Sequence, residues 1–383
     1  MKRKDFSGDV TSEAIPPASD SSGGSSFQKA MRRRSFLKNV GMAGAAISAS
    51  SFLPSAAKAA TRPASGKLTS GDIAILQFVA AAELLETDLW VQYTELGGVT
   101  TGPQNNYQLA LAQLDGDAGQ YITSNTNDEH SHAAFLNAYL VSMGAEAVNL
   151  DQFRTLPSSK ANGAKQIGRL TNIMQLAVPT NWYTRYRSPH NPDFGATFPD
   201  ALPQLSNGEF TAIPRTNADF GPKDHIQAIA NTAAFHFGSI EQGGSSLYAT
   251  LVQQASSAEV VRIMVSIGGD EVAHFVEWVD FAGNGVQPPV APLMDPTNGL
   301  EFPNFIANGN KLVQPNLIFP VPCEFISPDL PKCAVIRPTA PLNGGAVAAV
   351  TALTATNLFL GQPQAFFSTL SQLAEAADAA VRM

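Results

Sequence analysis

Apolar residues return every three to four positions along four stretches of the chain, the spacing that gathers them on one face of an α-helix. The first stretch, Gly71–Leu96, contains "DIAILQFVAAAELLETDLWVQYTEL" and stops at Gly97 and Gly98. The second runs from about Asp117 to Met143 and ends at Gly144. The third begins after Pro222 and spans about Asp224–Gln254. The fourth opens on Ser256-Ser257-Ala258-Glu259, a capping-box pattern, and continues to about Ala282. All four exceed the globular mean of about 11–12 residues. They fall in two close pairs with wide apolar faces, so the pattern predicts an all-α four-helix bundle over residues 70–285.

Between the pairs the periodicity fails. Residues 146–221 read as a long crossover insertion, with a short helix expected near Gly163–Leu176 and then a Pro-, Asn- and aromatic-rich stretch of ordered irregular loop. Trp182, Tyr183, Arg185, Tyr186 and Arg187 in that stretch offer either a ligand surface or the contacts that glue a long loop to a bundle. Residues 286–383 form an irregular extension, Pro-rich up to Pro341, which ends in an Ala-rich helix at about Pro363–Arg382. No internal repeat of solenoid period is present.

Composition adds a leader to this picture. Hydrophobic residues make up 44% of the 383, enough for a sizeable core. The net charge of −8 hides an asymmetry: residues 1–59 hold nine Lys/Arg against four Asp/Glu, which leaves 15 basic and 28 acidic residues, a charge of −13, in the remainder. Such a remainder has no electrostatic reason to hold nucleic acid or an anionic membrane. Within the leader, Arg33-Arg34-Ser35-Phe36-Leu37-Lys38 resembles a twin-arginine export signal. A mildly apolar stretch, Val40 to Leu53, follows, and then the small-x-small site Ala57-Lys58-Ala59. The expectation is export to a periplasmic or extracellular location, with no transmembrane segment once the leader is removed. Cys323 and Cys333 are the two cysteines, and in an oxidising compartment they are most simply a disulfide.

The chemistry sits inside the oily helices. Glu271 and His274 in "GGDEVAHFVEWVDF" lie three residues apart, hence on one helix face, and Glu129 and His132 in "DEHSHAAF" repeat the spacing. Fourteen Glu and six His in this length predict about 0.2 such pairs by chance. Each pair falls in the second helix of a helix pair, and each first helix offers a carboxylate. In the third helix it is Glu241. In the first helix Glu83 and Glu86 compete: aligning Glu86 with Glu241 also aligns Tyr93 with Tyr248, which favours Glu86 and leaves Glu83 as the alternative ligand or a hydrogen-bonding neighbour. Tyr93 and Tyr248 are candidates to hydrogen-bond the ligands or to act as nearby electron donors. His130 points away from Glu129, and His236 lies off the face of Glu241. The glycines Gly238, Gly243, Gly244, Gly268 and Gly269 around these positions signal close helix approach or local fraying.

One Glu from each of two helices and Glu-x-x-His from the other two is the ligand pattern of dimetal carboxylate bundles. On it the chain resembles the ferritin-like superfamily, and more narrowly the secreted ferritin-like-domain family that includes desiccation-related proteins. "LQFVAAAELLETDLW" and "DEVAHFVEWVDF" carry the likeness, over about Gly71–Ala145 and Asp224–Gly285. The resemblance implies two Fe or Mn ions held by Glu86 (or Glu83), Glu129, His132, Glu241, Glu271 and His274. The implied activity is redox chemistry on oxygen or peroxide, oxidase or catalase-like. A homo-oligomer is compatible with it, whereas bulk iron storage suits a chain with so long an insertion poorly. The competing class is a non-catalytic stress- or desiccation-related protein that uses the bundle as a platform.

Overall fold

The computed structural model describes residues 67–186, 188, 190, 196–307, 319–321, 327, 329–331, 333–335 and 344–383. The expected leader, Arg187 and Cys323 lie outside these residues; Cys333 is exposed. The described chain is predominantly helical. In order it forms α1 (Ser70–Gly97), α2 (Asn106–Leu114), α3 (Ala118–Ser142), α4 (Asn181–Arg185), α5 (Lys223–Leu251), α6 (Ala258–Asn284), α7 (Ala346–Ala355) and α8 (Gln364–Asp378). Two short antiparallel ladders are added late: β1 (Leu293–Met294) with β2 (Glu301–Phe302), and β3 (Phe319–Val321) with β4 (Cys333–Val335). No described helix is long and apolar enough to cross a membrane.

Local chemistry sets the ends of the long helices. Thr69 caps α1 by accepting the Asp72 N–H at 3.0 Å, while the buried Asp72 carboxylate accepts the backbone N–H groups of Ser256 and Ser257 at 2.9 and 3.2 Å. One acid thus pins the start of α1 to the start of α6. The cap of α6 is Ser257, one residue later than the box pattern implies, and its hydroxyl accepts the Glu259 N–H at 3.2 Å. After α3 the chain turns at Gly144, whose φ of +79° is the left-handed conformation that glycine adopts without penalty.

Helix α1 lies along α3, and α5 along α6. Their apolar faces build two clusters rather than one. The first gathers Trp90 and Tyr93 of α1, Ile122 of α3, Phe237 of α5 and Trp278 of α6. The second gathers Ile75 and Leu76, Leu136 and Leu140, Tyr248, and Met264 of the same four helices. Each long helix therefore passes from one oily region into the other. The acidic and histidine positions fall in the interval between them.

The segment 163–176 is not helical, contrary to the expectation. Its backbone donors are spent elsewhere: the Leu170 and Thr171 N–H groups go to Asp88 Oδ2 of α1 at 3.0 and 2.9 Å. Gly163 sits at φ +110°, outside any helix, and a Cβ on Gly168 would collide with the Arg154 carbonyl. A buried carboxylate thus anchors the insertion as extended chain, helped by Arg154 on Asp88 at 2.7 Å and Arg169 on Glu95 at 2.6 Å. Trp182, Tyr183 and Tyr186 are buried against the first cluster, so the aromatic group of the insertion does pack it onto the bundle. The terminal helix is present as α8 and packs on α1.

Candidate metal centre

Six side chains from the four long helices converge between the two apolar clusters. They are Glu83 of α1, Glu129 and His132 of α3, Glu241 of α5, and Glu271 and His274 of α6, all buried. Two overlapping groups have ligand atoms within 4.8 Å of one another: Glu83, Glu129, His132 and Glu271 in one, and Glu129, Glu241, Glu271 and His274 in the other. Glu129 and Glu271 belong to both. His132 Nδ1 lies 3.3 Å from Glu83 and 3.3 Å from Glu129, and 3.8 Å from Glu271. His274 Nδ1 lies 3.1 Å from Glu129 and 3.4 Å from Glu241. The set is symmetric by halves: one unshared carboxylate and one imidazole on each side of two shared carboxylates.

A second ring of partners orients the first. The outward nitrogen of His132 meets Asp270 at 3.1 Å, and that of His274 meets Asp128 at 3.4 Å. The pairing crosses over, since Asp270 precedes Glu271 and Asp128 precedes Glu129. An Nε2–H held by a carboxylate leaves the Nδ1 lone pair facing the centre, the orientation a ligating histidine needs. Asn125, one turn before Glu129, donates to Glu129 at 2.7 Å and to Glu241 at 3.2 Å, and accepts from Trp278 Nε1 at 2.7 Å. The Tyr248 hydroxyl donates to Glu83. Sequence reasoning missed Asp128, Asp270 and Asn125. The signal for the first two was there, because both motifs read Asp-Glu-x-x-His.

Two expectations change. Glu86 belongs to neither group; it is half-buried and faces an adjacent cavity. Glu83 takes its place because Tyr248 of α5 reaches Glu83, which sets a helix register different from the one that pairs Glu86 with Glu241. Tyr93 does not bond a ligand either: its hydroxyl lies 2.6 Å from His236 Nδ1. His236 is buried, which pushes its pKa down to about 3, so it is a neutral core histidine. His130 is exposed.

The glycines divide. A Cβ on Gly244 would collide with Glu271 Oε2, and one on Gly268 would come within 2.7 Å of Tyr248 Cβ. These two let α5 and α6 approach at the height of the centre. Gly238 makes room for the Trp182 ring, while Gly243 and Gly269 have open space around them.

The electrostatics call for a cation. Glu271 is fully buried, yet neither of its oxygens accepts a hydrogen bond, while Glu83 Oε2 and Glu241 Oε2 meet only an imidazole, at 3.3 Å from His132 Nδ1 and 3.4 Å from His274 Nδ1. Burial, and then Glu129, Glu86 and Glu241, raise the Glu271 carboxyl well above its ordinary range. Burial and Glu241 lift Glu129 to about 7 against the pull of its two histidines. Burial opposes charge on His132, but Asp270, Glu129 and Glu83 bring it up to about 12; Glu241, Asp128 and Glu129 raise His274 in the same way. A buried carboxylate without a donor is costly in an apolar interior. Two divalent cations, four carboxylates and two neutral imidazoles cancel in charge, and the bare oxygens are the ligand atoms such ions take. The residues fit a metal pair.

No family model matches the chain, and no curated protein or solved structure resembles it at a significant level. The functional reading rests on the centre itself.

Proposed function

We propose that the protein is an exported ferritin-like dimetal carboxylate protein that performs redox chemistry on oxygen or peroxide. The observation that carries the reading is Glu271, a buried carboxylate without a hydrogen bond on either oxygen, shared by two ligand groups. One ion would take Glu83, Glu129, His132 and Glu271, and the other Glu129, Glu241, Glu271 and His274. Oxygen and imidazole donors without thiolate favour Fe or Mn over Zn. When bound, such a pair supplies two adjacent redox-active sites for a dioxygen or peroxide unit.

The chain's own residues prepare the place. Asp128 and Asp270 hold the imidazole edges, Asn125 holds Glu129 and Glu241, and Tyr248 holds Glu83. The apolar clusters above and below keep bulk water from the centre. Oxygen- and peroxide-consumption assays on Fe- and Mn-loaded protein test the activity. Turnover that disappears in His132→Ala supports it; full metal loading with no turnover on either oxidant points instead to the non-catalytic stress-related platform. Export through the leader belongs to the same proposal. Replacing Arg33 and Arg34 together by Lys is expected to retain the precursor in the cytoplasm, and normal export of that variant would remove the twin-arginine reading.

A further inference from the structure

Two of the three tryptophans in the chain stack on each other next to the centre: Trp90 of α1 and Trp278 of α6, with ring centroids 5.3 Å apart and planes 24° from parallel. Trp278 stands one helical turn beyond His274, on the same side of α6. Its indole N–H donates to Asn125 Oδ1 at 2.7 Å, and the Asn125 amide donates in turn to Glu129 and Glu241. One side chain thus joins this ring to two of the six converging residues. Indole and phenol rings are the side chains that a strong oxidant turns into radicals by removing a single electron. Rings in contact pass that vacancy from one to the next. From Trp278 the contacts branch. One branch runs through Trp90 to Tyr93, at 5.6 Å, and on to His236; all three are buried, so it ends inside the core.

The other branch leads outward. The Tyr121 ring of α3 meets Trp278 edge-on, with centroids 6.5 Å apart, inside the range of about 4.5–7 Å over which aromatic pairs interact. Tyr121 is only half-buried, so this branch reaches the surface. Burial, and then Glu277, Asp115, Asp117 and Asp280, raise its pKa, so the phenol keeps its hydrogen at neutral pH. The same carboxylates disfavour an anion beside it.

We propose that Tyr121 and Trp278 carry single electrons from a small uncharged phenol at the surface to the centre, so that the protein oxidises phenols at the expense of peroxide. This rests on the function proposed above and names its reductant. Two phenol O–H groups each give up one electron and one proton, the O–O bond of hydrogen peroxide breaks, and two phenoxyl radicals and two waters result. Within the chain, Tyr121 gives its electron to Trp278 and its proton to water or a neighbouring carboxylate. The phenol then returns both, breaking the same kind of O–H bond that it restores. The test mixes Fe- or Mn-loaded protein with hydrogen peroxide, freezes it for electron paramagnetic resonance, and follows guaiacol oxidation in parallel. Wild type should show a tyrosyl radical whose signal narrows when the tyrosine rings are deuterated. Tyr121→Phe, which removes only a hydroxyl, should lose that signal and the guaiacol oxidation, and Trp278→Phe with normal metal content should do the same. Tyr139→Phe, at a half-buried tyrosine of α3 stacked on Phe135, should keep both. Vanillate, the carboxylated analogue of guaiacol, should react more slowly, by a margin that shrinks as salt rises. A tyrosyl signal or undiminished guaiacol oxidation in Tyr121→Phe overturns the proposal, as does vanillate oxidised as fast as guaiacol at low salt. Peroxide consumption by wild type with neither radical nor guaiacol oxidation overturns this relay and leaves the proposed function standing; no peroxide consumption removes both.

Discussion

Glu271 shows how the centre is specified at the scale of single residues. Its carboxylate oxygens accept no hydrogen bond, and Oε2 occupies the place that a Cβ would take on Gly244 of the facing helix. Each remaining ligand has one or two partners that fix its direction, and those partners are testable. Asp270 holds the outer edge of His132, so Asp270→Ala is expected to weaken metal binding about 10–100-fold in a competition with a chelator. Unchanged competition would mean that the imidazole is oriented by packing alone. The choice within α1 is equally open to measurement: Glu83→Ala should abolish binding of one ion per chain, and Glu86→Ala should leave stoichiometry at wild type. The reverse result would exchange their roles.

At the scale of elements, α5 and α6 are the pair with the least slack. Gly244 and Gly268 bring them together beside Glu271 and Tyr248, and a methyl group at Gly244 has no space. Gly244→Ala is expected to cost roughly 1–3 kcal/mol of stability by overpacking, read by thermal or denaturant unfolding, and to lower metal affinity with it. A neutral effect would mean that Glu271 swings aside freely. The four long helices were legible because their apolar period runs for more than twenty residues, with stops at Gly97 and Gly144 and a start after Pro222. Four of the six converging residues were legible for the same reason, since the Glu-x-x-His spacing fixes a shared helix face, and Glu241 was legible as the one carboxylate in the apolar run of its helix. Glu86 and Glu83 lie on nearly the same face one turn apart, and the alignment that pairs Glu86 with Glu241 and Tyr93 with Tyr248 favoured Glu86; only the register of α1 against α5 separates them. The segment 163–176 was misread because what decides it is remote: Asp88, some eighty positions earlier, takes its backbone donors. Helix α2 depends on a cap at Asn105 with Gln108, and α4 and α7 are too short or too uniformly apolar for a period to show.

For the whole molecule, the buried charges link metal, protons and stability. Without metal, the fold holds Glu129 at about 7, above its ordinary value of 4.5, and His132 at about 12, above 6.5. A raised pKa stabilises the fold below the unfolded value, and that contribution is lost as pH rises through the folded value. The metal-free protein should therefore lose stability as pH climbs from about 4.5 to 7, and lose the histidine contribution as pH rises from about 6.5 toward 12. Metal must displace these protons, so its affinity rises over the same range. The gain in Tm on adding Mn is expected to grow steadily from about pH 5 to pH 8. A gain that is flat across this window would separate the ions from these ligands. The central claim is that six buried side chains hold two ions in one site, and metal analysis of the purified, Fe- or Mn-loaded protein addresses it most directly. The account predicts two ions per chain in the wild type and fewer than one in Glu271→Ala, with the helical content of both checked by circular dichroism. A wild type that binds none, or a Glu271→Ala variant that still binds two, would contradict it.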